Sequence, residues 1–264
     1  MILAFTLYVL YTASAWVMLR TVSKPRLEPV AWTLILLAIV GHSDAIVHRM
    51  RLNGGPFSIG LLEAISLLAW TLAVLACLIS IERQNRVLGA ILLASAALGA
   101  AVTGSGHTYA EATAPGWELT AHILLSMGAA ALLFAAAITA GLLVFLDRRL
   151  RTRRIADLPS VLPPLDALEK VMFRLIGAGF VLLTLSLFTG FVFVTNLFTQ
   201  LLLQKTVLSL IAWLLFGVLL IGRIRFGWRG RSAVRWTLTG FGVLAAAYFG
   251  SKFVLEYLYG QHWG

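Results

Sequence analysis

Along the chain, apolar residues gather into eight long runs, approximately 2–19, 31–47, 58–81, 87–103, 119–146, 171–195, 204–222 and 236–258, separated by charged or Gly/Pro-containing breaks. A helix that crosses the hydrocarbon core needs about 20 predominantly apolar residues. The pattern therefore predicts an all-α, polytopic membrane protein, a bundle of about eight transmembrane helices. Ala13-Ser14-Ala15 looks like a cleavage site, but no basic segment precedes the first run and Arg20 follows it, so this run is expected to be a retained helix. The longest connection, 147–170, contains Pro159, Pro163 and Pro164 and ends in Asp166-Ala-Leu-Glu169, a helix start with an acidic first turn. No internal repeat is evident. Residues 1–264 are expected to form a single integral membrane domain, with five spans in 2–146, a cytoplasmic loop at 147–170 and three spans in 171–258.

Composition agrees with the pattern. The 264 residues are 60% hydrophobic and only 12% charged, with a mean hydropathy of +0.91. A soluble domain carries about 25% charged residues, so a water-soluble globular protein is excluded. The net charge of +10 is distributed unevenly. Arg20, Lys24 and Arg26, then Arg83 and Arg86, then Arg148 to Lys170, then Arg223 to Arg235 place sixteen cations in one set of connections, against Arg49, Arg51, Lys205 and Lys252 in the other. Positively charged loops stay cytoplasmic, which predicts both termini on the periplasmic side of a bacterial inner membrane. This asymmetry explains the net charge with no nucleic acid, and the Arg148–Arg154 cluster is expected to meet anionic membrane lipid. Trp16, Trp32, Trp228 and Trp236 fall at one membrane surface and Trp117, Tyr257, Tyr259 and Trp263 at the other. Trp70 and Trp213 lie mid-span, where packing is the expected role and contact with a large planar ligand the alternative.

Candidate chemistry begins with the ionisable groups inside the spans, which are costly in a bilayer and mark function. All five histidines fall on the outward side: His42 and His48 in the second span, His107 in the loop after the fourth, His122 at the head of the fifth, and His262 after the eighth. The single cysteine, Cys77, leaves no disulfide, CxxC pair or haem-attachment motif. Histidines without cysteine suit haem iron, which takes imidazoles from different helices on opposite faces of the macrocycle. The alternative for each histidine is a hydrogen bond to a backbone carbonyl, and no closely spaced zinc or copper set is present. Asp44 and His48, four apart, share a helix face, which leaves His42 to look into the bundle. Glu63 is either a carboxylate that fixes a histidine tautomer or the ion-pair partner of Arg49 or Arg51.

The order of several segments resembles the cytochrome c assembly protein family, haem-handling membrane proteins of the CcsA, CcmC and HemX type, and within it the eight-span YpjD subgroup. The segments are Leu183-Thr-Leu-Ser-Leu-Phe-Thr-Gly190, Lys205 through Trp213, Gly227-Trp228-Arg229-Gly230-Arg231 and Tyr248-Phe249-Gly250. Pro115-Gly116-Trp117 followed by His122-Ile-Leu-Leu-Ser126 is similar to the family's outward histidine with a serine one turn on, and His42, Arg51, Pro56, Ser58 and Glu63 match its second and third spans. The resemblance implies that His122 and His262 are axial ligands of haem b, with His42 as an alternative or second-site ligand. Glu63, Trp117 and Ser126 would then support them. Two features depart from the family: Asn196 through Leu203 contains no tryptophan where a tryptophan-rich loop is expected, and Ile221-Gly222-Arg223 stands where the seventh span carries a histidine.

The expected function is thus binding and presentation of haem on the outward face, with apocytochrome c or other cytochrome c maturation components as partners and no bond made by the chain itself. Three rivals are a haem-free accessory or regulatory protein that keeps the fold, a quinol-linked b-type redox protein, and a proton-coupled transporter using Asp44 and Glu63.

Overall fold

The computed structural model describes residues 2–52, 61–103, 117–151, 164–193 and 200–250. Eight α-helices are found among these residues: α1 (Ile2–Thr21), α2 (Glu28–Leu52), α3 (Leu61–Ser80), α4 (Arg86–Ala100), α5 (Trp117–Arg151), α6 (Leu165–Phe193), α7 (Gln200–Phe226) and α8 (Gly230–Ala245), the last opening into a π-helical turn at Ala246–Gly250. The polytopic all-α class expected from the apolar runs is the class observed. Six of the helices, α1, α2, α3, α5, α6 and α7, are long and apolar enough to cross a membrane. At 15 and 16 residues, α4 and α8 are shorter. The fourth run stops being helical at Ala100 because the chain tightens there, with Thr103 N–H donating to the Ala100 carbonyl at 3.0 Å.

The helices divide into two compact units, α1–α4 and α5–α8. In the first, α4 packs against both α1 and α3, and α2 lies against α1. The α3–α4 contact is made by small residues. A Cβ on Gly99 would stand 2.7 Å from the Ala69 Cβ, and Ala73, Ala76, Ala96, Ala97 and Ala100 are all fully buried. Lipid is as apolar as a side chain, so association in a membrane depends on such close backbone approach. In the second unit the principal contact joins α5 to α6, with α8 on α5 and α7 on both α6 and α8. Here too a glycine sets the distance: a Cβ on Gly179 would meet Leu133 Cγ at 2.8 Å.

At one end of the second unit, ion pairs join the start of α6 to the end of α7 and the α7–α8 turn. Glu169 accepts hydrogen bonds from Arg223 (2.9 Å) and Arg229 (3.0 Å) and from the Gly230 N–H (3.3 Å), while Asp166 accepts from Arg229 at 2.6 Å. The hydrogen bond and charge of Glu169 raise the Arg229 guanidinium above its ordinary pKa. Gly227 and Gly230 adopt φ values of +64° and +57°, a region that favours glycine, and allow the turn to double back. Trp228 stacks on Trp236 with ring centroids 5.5 Å apart. Its ring covers Gly222, where a Cβ would collide with it.

Candidate functional site

The other end of the second unit gathers polar side chains from four elements. His122 lies in the second turn of α5. Its Nδ1 is 2.9 Å from the Ser186 carbonyl oxygen and 3.1 Å from Thr189 Oγ1, both on α6. A carbonyl only accepts, so Nδ1 must carry the proton, and the lone pair of the neutral ring is on Nε2. The Thr189 hydroxyl donates to the same carbonyl at 3.0 Å, which leaves its oxygen free to accept from Nδ1. Among the described residues, Nε2 has no hydrogen-bond partner. Gly190 supplies the space for the ring: a Cβ there would stand 3.0 Å from His122 Cε1 and 3.4 Å from Nδ1.

Two groups from α7 and the π-helical turn complete the cluster. Lys205, in the second turn of α7, is close enough to His122 to interact electrostatically with it. Its ammonium lies 4.8 Å from the centroid of the Tyr248 ring. Ser126, buried one turn after His122, donates to the Ile123 carbonyl at 2.9 Å. The cluster is thus an oriented imidazole, an ammonium and a phenol at one end of four apolar helices.

His42 occupies a different environment, in the first unit. It is fully buried, and both ring nitrogens meet hydroxyls: Nδ1 with Tyr11 Oη at 3.1 Å, and Nε2 with Ser66 Oγ at 3.0 Å and Thr103 Oγ1 at 3.2 Å. Ser66 and Thr103 are themselves 2.9 Å apart. A metal on Nε2 would have to displace these two hydroxyls. Glu63 accepts from Arg49 at 3.2 Å, the ion-pair alternative raised by the sequence. Asp44 and His48 are exposed on α2. Trp117 stands 71% exposed at the start of α5.

His262, His107 and residues 196–199 of the sixth-to-seventh connection lie outside the described residues. Among the described residues, no three His, Cys, Asp or Glu side chains come together as a metal-binding group. The mid-span tryptophans have packed roles. Trp70 donates to Ser43 Oγ and Trp213 to Thr184 Oγ1, both at 2.8 Å, and Trp213 stacks on Phe180.

Sequence reasoning missed Thr189, Gly190, Lys205 and Tyr248 as members of the His122 cluster. Each lay within a segment quoted for the resemblance, but α6, α7 and the π-helical turn approach α5 from about 65 to 125 residues away, beyond any local periodicity. The departure at the seventh span also has a structural account. Where a histidine was expected, Gly222 makes room for Trp228, and Arg223 is held by Glu169.

Fold and geometry therefore define a helical, multi-pass membrane protein with a pre-oriented imidazole among the end residues of its second unit. Residues 58–259 match the family described as Cytochrome C assembly protein, and the chain belongs to that family. It is 34% identical over 226 residues to the inner membrane protein YpjD of Escherichia coli, covering 84% of each chain. It is 38% identical over 151 residues to an uncharacterized 28.8 kDa protein of Azospirillum brasilense, covering 56% of this chain and 55% of the other. A cytochrome c biogenesis protein CcsA of Synechococcus elongatus is 34% identical over 107 residues, which is 40% of this chain and 33% of that one. No solved structure matches.

Proposed function

We propose that this is an inner-membrane haem-handling protein of cytochrome c maturation, which holds haem b through His122 and presents it on the outward face. The observation that carries the reading is the hydrogen bond from Nδ1 to the Ser186 carbonyl, because it turns the Nε2 lone pair into a ready iron ligand. Gly190 supports the same orientation, because the absence of a side chain there lets the imidazole lie against α6. Haem, when bound, would supply an iron that accepts imidazole on each face. The protein's own contribution is to bind and orient, by fixing the His122 tautomer and by keeping the ring against α6. His262 is proposed as the second axial ligand, by its position after the last apolar run. The names borne by the CcsA relatives support a place in cytochrome c biogenesis, with apocytochrome c or other maturation components as partners. The uneven loop charge supports periplasmic termini and an outward His122 end.

The test is an absorption spectrum of protein purified in mild detergent, oxidised and dithionite-reduced, before and after haem is added. A bis-histidine b-type spectrum that is lost in His122→Ala, at unchanged protein yield, is the expected result. Absence of any haem spectrum after reconstitution would overturn the reading in favour of the accessory one. That second reading has one specific support, the replacement of the expected seventh-span histidine by residues that pack Trp228 and pair with Glu169.

A further inference from the structure

At the opposite end of the second unit from His122, the end of α5 and the starts of α6 and α8 surround a cavity of about 760 Å³. Its described lining has two parts. Leu143 and Val144 on α5 and Val234 on α8 form an apolar wall, in which Leu143 and Val234 are buried. Arg148 and Arg151, one and two turns further along α5, and Arg231 and Arg235 on α8 bring four guanidinium groups to the same space. The acidic residues beside them do not neutralise this charge. Asp147 accepts from Arg151 at 2.9 Å and lies 3.4 Å from Arg231. Asp166 is committed to Lys170 and Arg229, and Glu169 to Arg223 and Arg229. Three carboxylates thus meet seven cations, and Arg235 forms no ion pair with any described residue.

Charge alone would suit any anion, but the order of the lining is selective. α5 runs toward the arginines, so Leu143 and Val144 lie one turn deeper in its span than Asp147 and Arg148. α8 runs the other way, and Val234 lies nearly a turn further in than Arg231. Guanidinium groups at the rim and an aliphatic wall behind them repeat the order of a phospholipid, phosphate outside and acyl chain inside. A free phosphate would leave that wall facing water. The ion pair of Asp147 with Arg231 also ties α5 to α8, which holds Arg148 and Arg235 at one cavity before a ligand arrives. We propose that this cavity is a site for one anionic phospholipid, its phosphodiester held by Arg148 and Arg235 and its acyl chain lying on Leu143, Val144 and Val234. The site replaces the diffuse lipid attraction expected of the Arg148–Arg154 cluster with a defined one shared by α5 and α8, and it stands independently of haem at His122. Guanidinium groups suit it because they pair with phosphate through two parallel N–H donors.

The experiment is native mass spectrometry of the full-length protein in mild detergent, titrated with phosphatidylglycerol and with phosphatidylcholine of identical acyl chains. It counts bound lipid and gives each dissociation constant. Wild type is expected to bind one phosphatidylglycerol per chain, about tenfold or more tighter than phosphatidylcholine. The double variant Arg148→Gln, Arg235→Gln should lose most of that preference. Arg235→Gln alone should lose part of it at an unchanged melting temperature, so the single variant decides if the double one does not fold. Lys24→Gln, Arg26→Gln removes the same charge from exposed positions outside the cavity and should keep the preference. Equal affinity of wild type for the two lipids would overturn the inference, and so would an undiminished preference in Arg235→Gln. An equal loss in the cavity and control variants would reduce it to diffuse charge and overturn it too. Displacement of phosphatidylglycerol by an equal concentration of sodium phosphate or of a hexaglutamate peptide would also overturn it, by assigning the arginines to a soluble anion or to an acidic protein partner.

Discussion

The imidazole of His122 is tied to the backbone of Ser186, Nδ1 to carbonyl oxygen at 2.9 Å. A backbone carbonyl on a helix cannot rotate away as a side chain can, so the tautomer is set by α6 itself. The Thr189 hydroxyl, 3.1 Å from the same nitrogen, is the adjustable part of the arrangement. Thr189→Val should leave the ring in place with one contact fewer and weaken haem binding modestly, by about threefold, since a single neutral hydrogen bond contributes about 1 kcal/mol or less. Haem titration of the variant checks this, and a loss as complete as that of His122→Ala would mean that Thr189 does more than steady the ring.

Gly190 makes a sharper test of the same geometry. An alanine Cβ would stand 3.0 Å from His122 Cε1, closer than van der Waals contact, so the imidazole or α6 has to shift. Overpacking of this size costs about 1–3 kcal/mol. Because the displaced group is the proposed ligand, the expected effect of Gly190→Ala is a fall of roughly tenfold in haem affinity with a normal yield of folded protein. Wild-type affinity in the variant would show that the ring is not held against α6 when haem is bound.

Different features of this chain were legible to different degrees in its sequence. Apolar runs of bilayer length located the helices, because in a membrane every backbone group must be satisfied within a segment. His122 and Ser126 stood out as a histidine and a serine one turn apart, a local relation. Lys205 read as one charge in an outward loop and as the start of a segment quoted for the resemblance, not as a neighbour of the Tyr248 ring, which is 43 residues away. Arg86 was counted among the loop cations, yet its side chain is 3% exposed and donates to Glu28 at 2.5 Å. Hydropathy treats an arginine at a helix start as solvated, and only the fold shows that α1 and α2 close over it.

That burial of Arg86 predicts an asymmetry between its partners. Removing Glu28 alone leaves a guanidinium enclosed beside Thr21 with its Nε already lacking a partner among the described residues, whereas removing both charges leaves an apolar contact. Breaking a buried pair is more harmful than replacing it. Glu28→Ala should therefore lower the melting temperature in detergent more than the double variant Glu28→Ala, Arg86→Met does. Equal losses in the two proteins would show that Arg86 finds water when Glu28 is gone.

The hydroxyls around His42 predict a structural phenotype. Tyr11 is fully buried with its hydroxyl 3.1 Å from Nδ1, so Tyr11→Phe strands a buried ring nitrogen and should destabilise the protein by about 1–3 kcal/mol. The haem spectrum is expected to stay as in wild type, because both His42 nitrogens serve the packing of α1, α2 and α3. A variant that keeps its stability and loses a haem signal would move His42 from the framework into the ligand set.

Glu169 offers the test of what the Gly227–Arg231 turn contributes. Its carboxylate, only 12% exposed, joins Arg223, Arg229 and the Gly230 N–H, and so fastens the α7–α8 turn to the N-terminal part of α6. Arg229 is more than half exposed and its share is screened by solvent, so the expected cost of Glu169→Gln comes mainly through Arg223 and the backbone donor. A loss of about 1–3 kcal/mol follows. The amide keeps one acceptor oxygen for Arg223 or for Gly230, but it cannot serve all three donors or balance the guanidinium charges. Thermal unfolding in detergent measures the loss, and haem titration of the same sample separates the two ends of the unit. If the turn is only a fastening, the variant melts earlier and binds haem as wild type does below its transition. A parallel loss of haem affinity would mean that strain at the arginine end reaches His122 through α6.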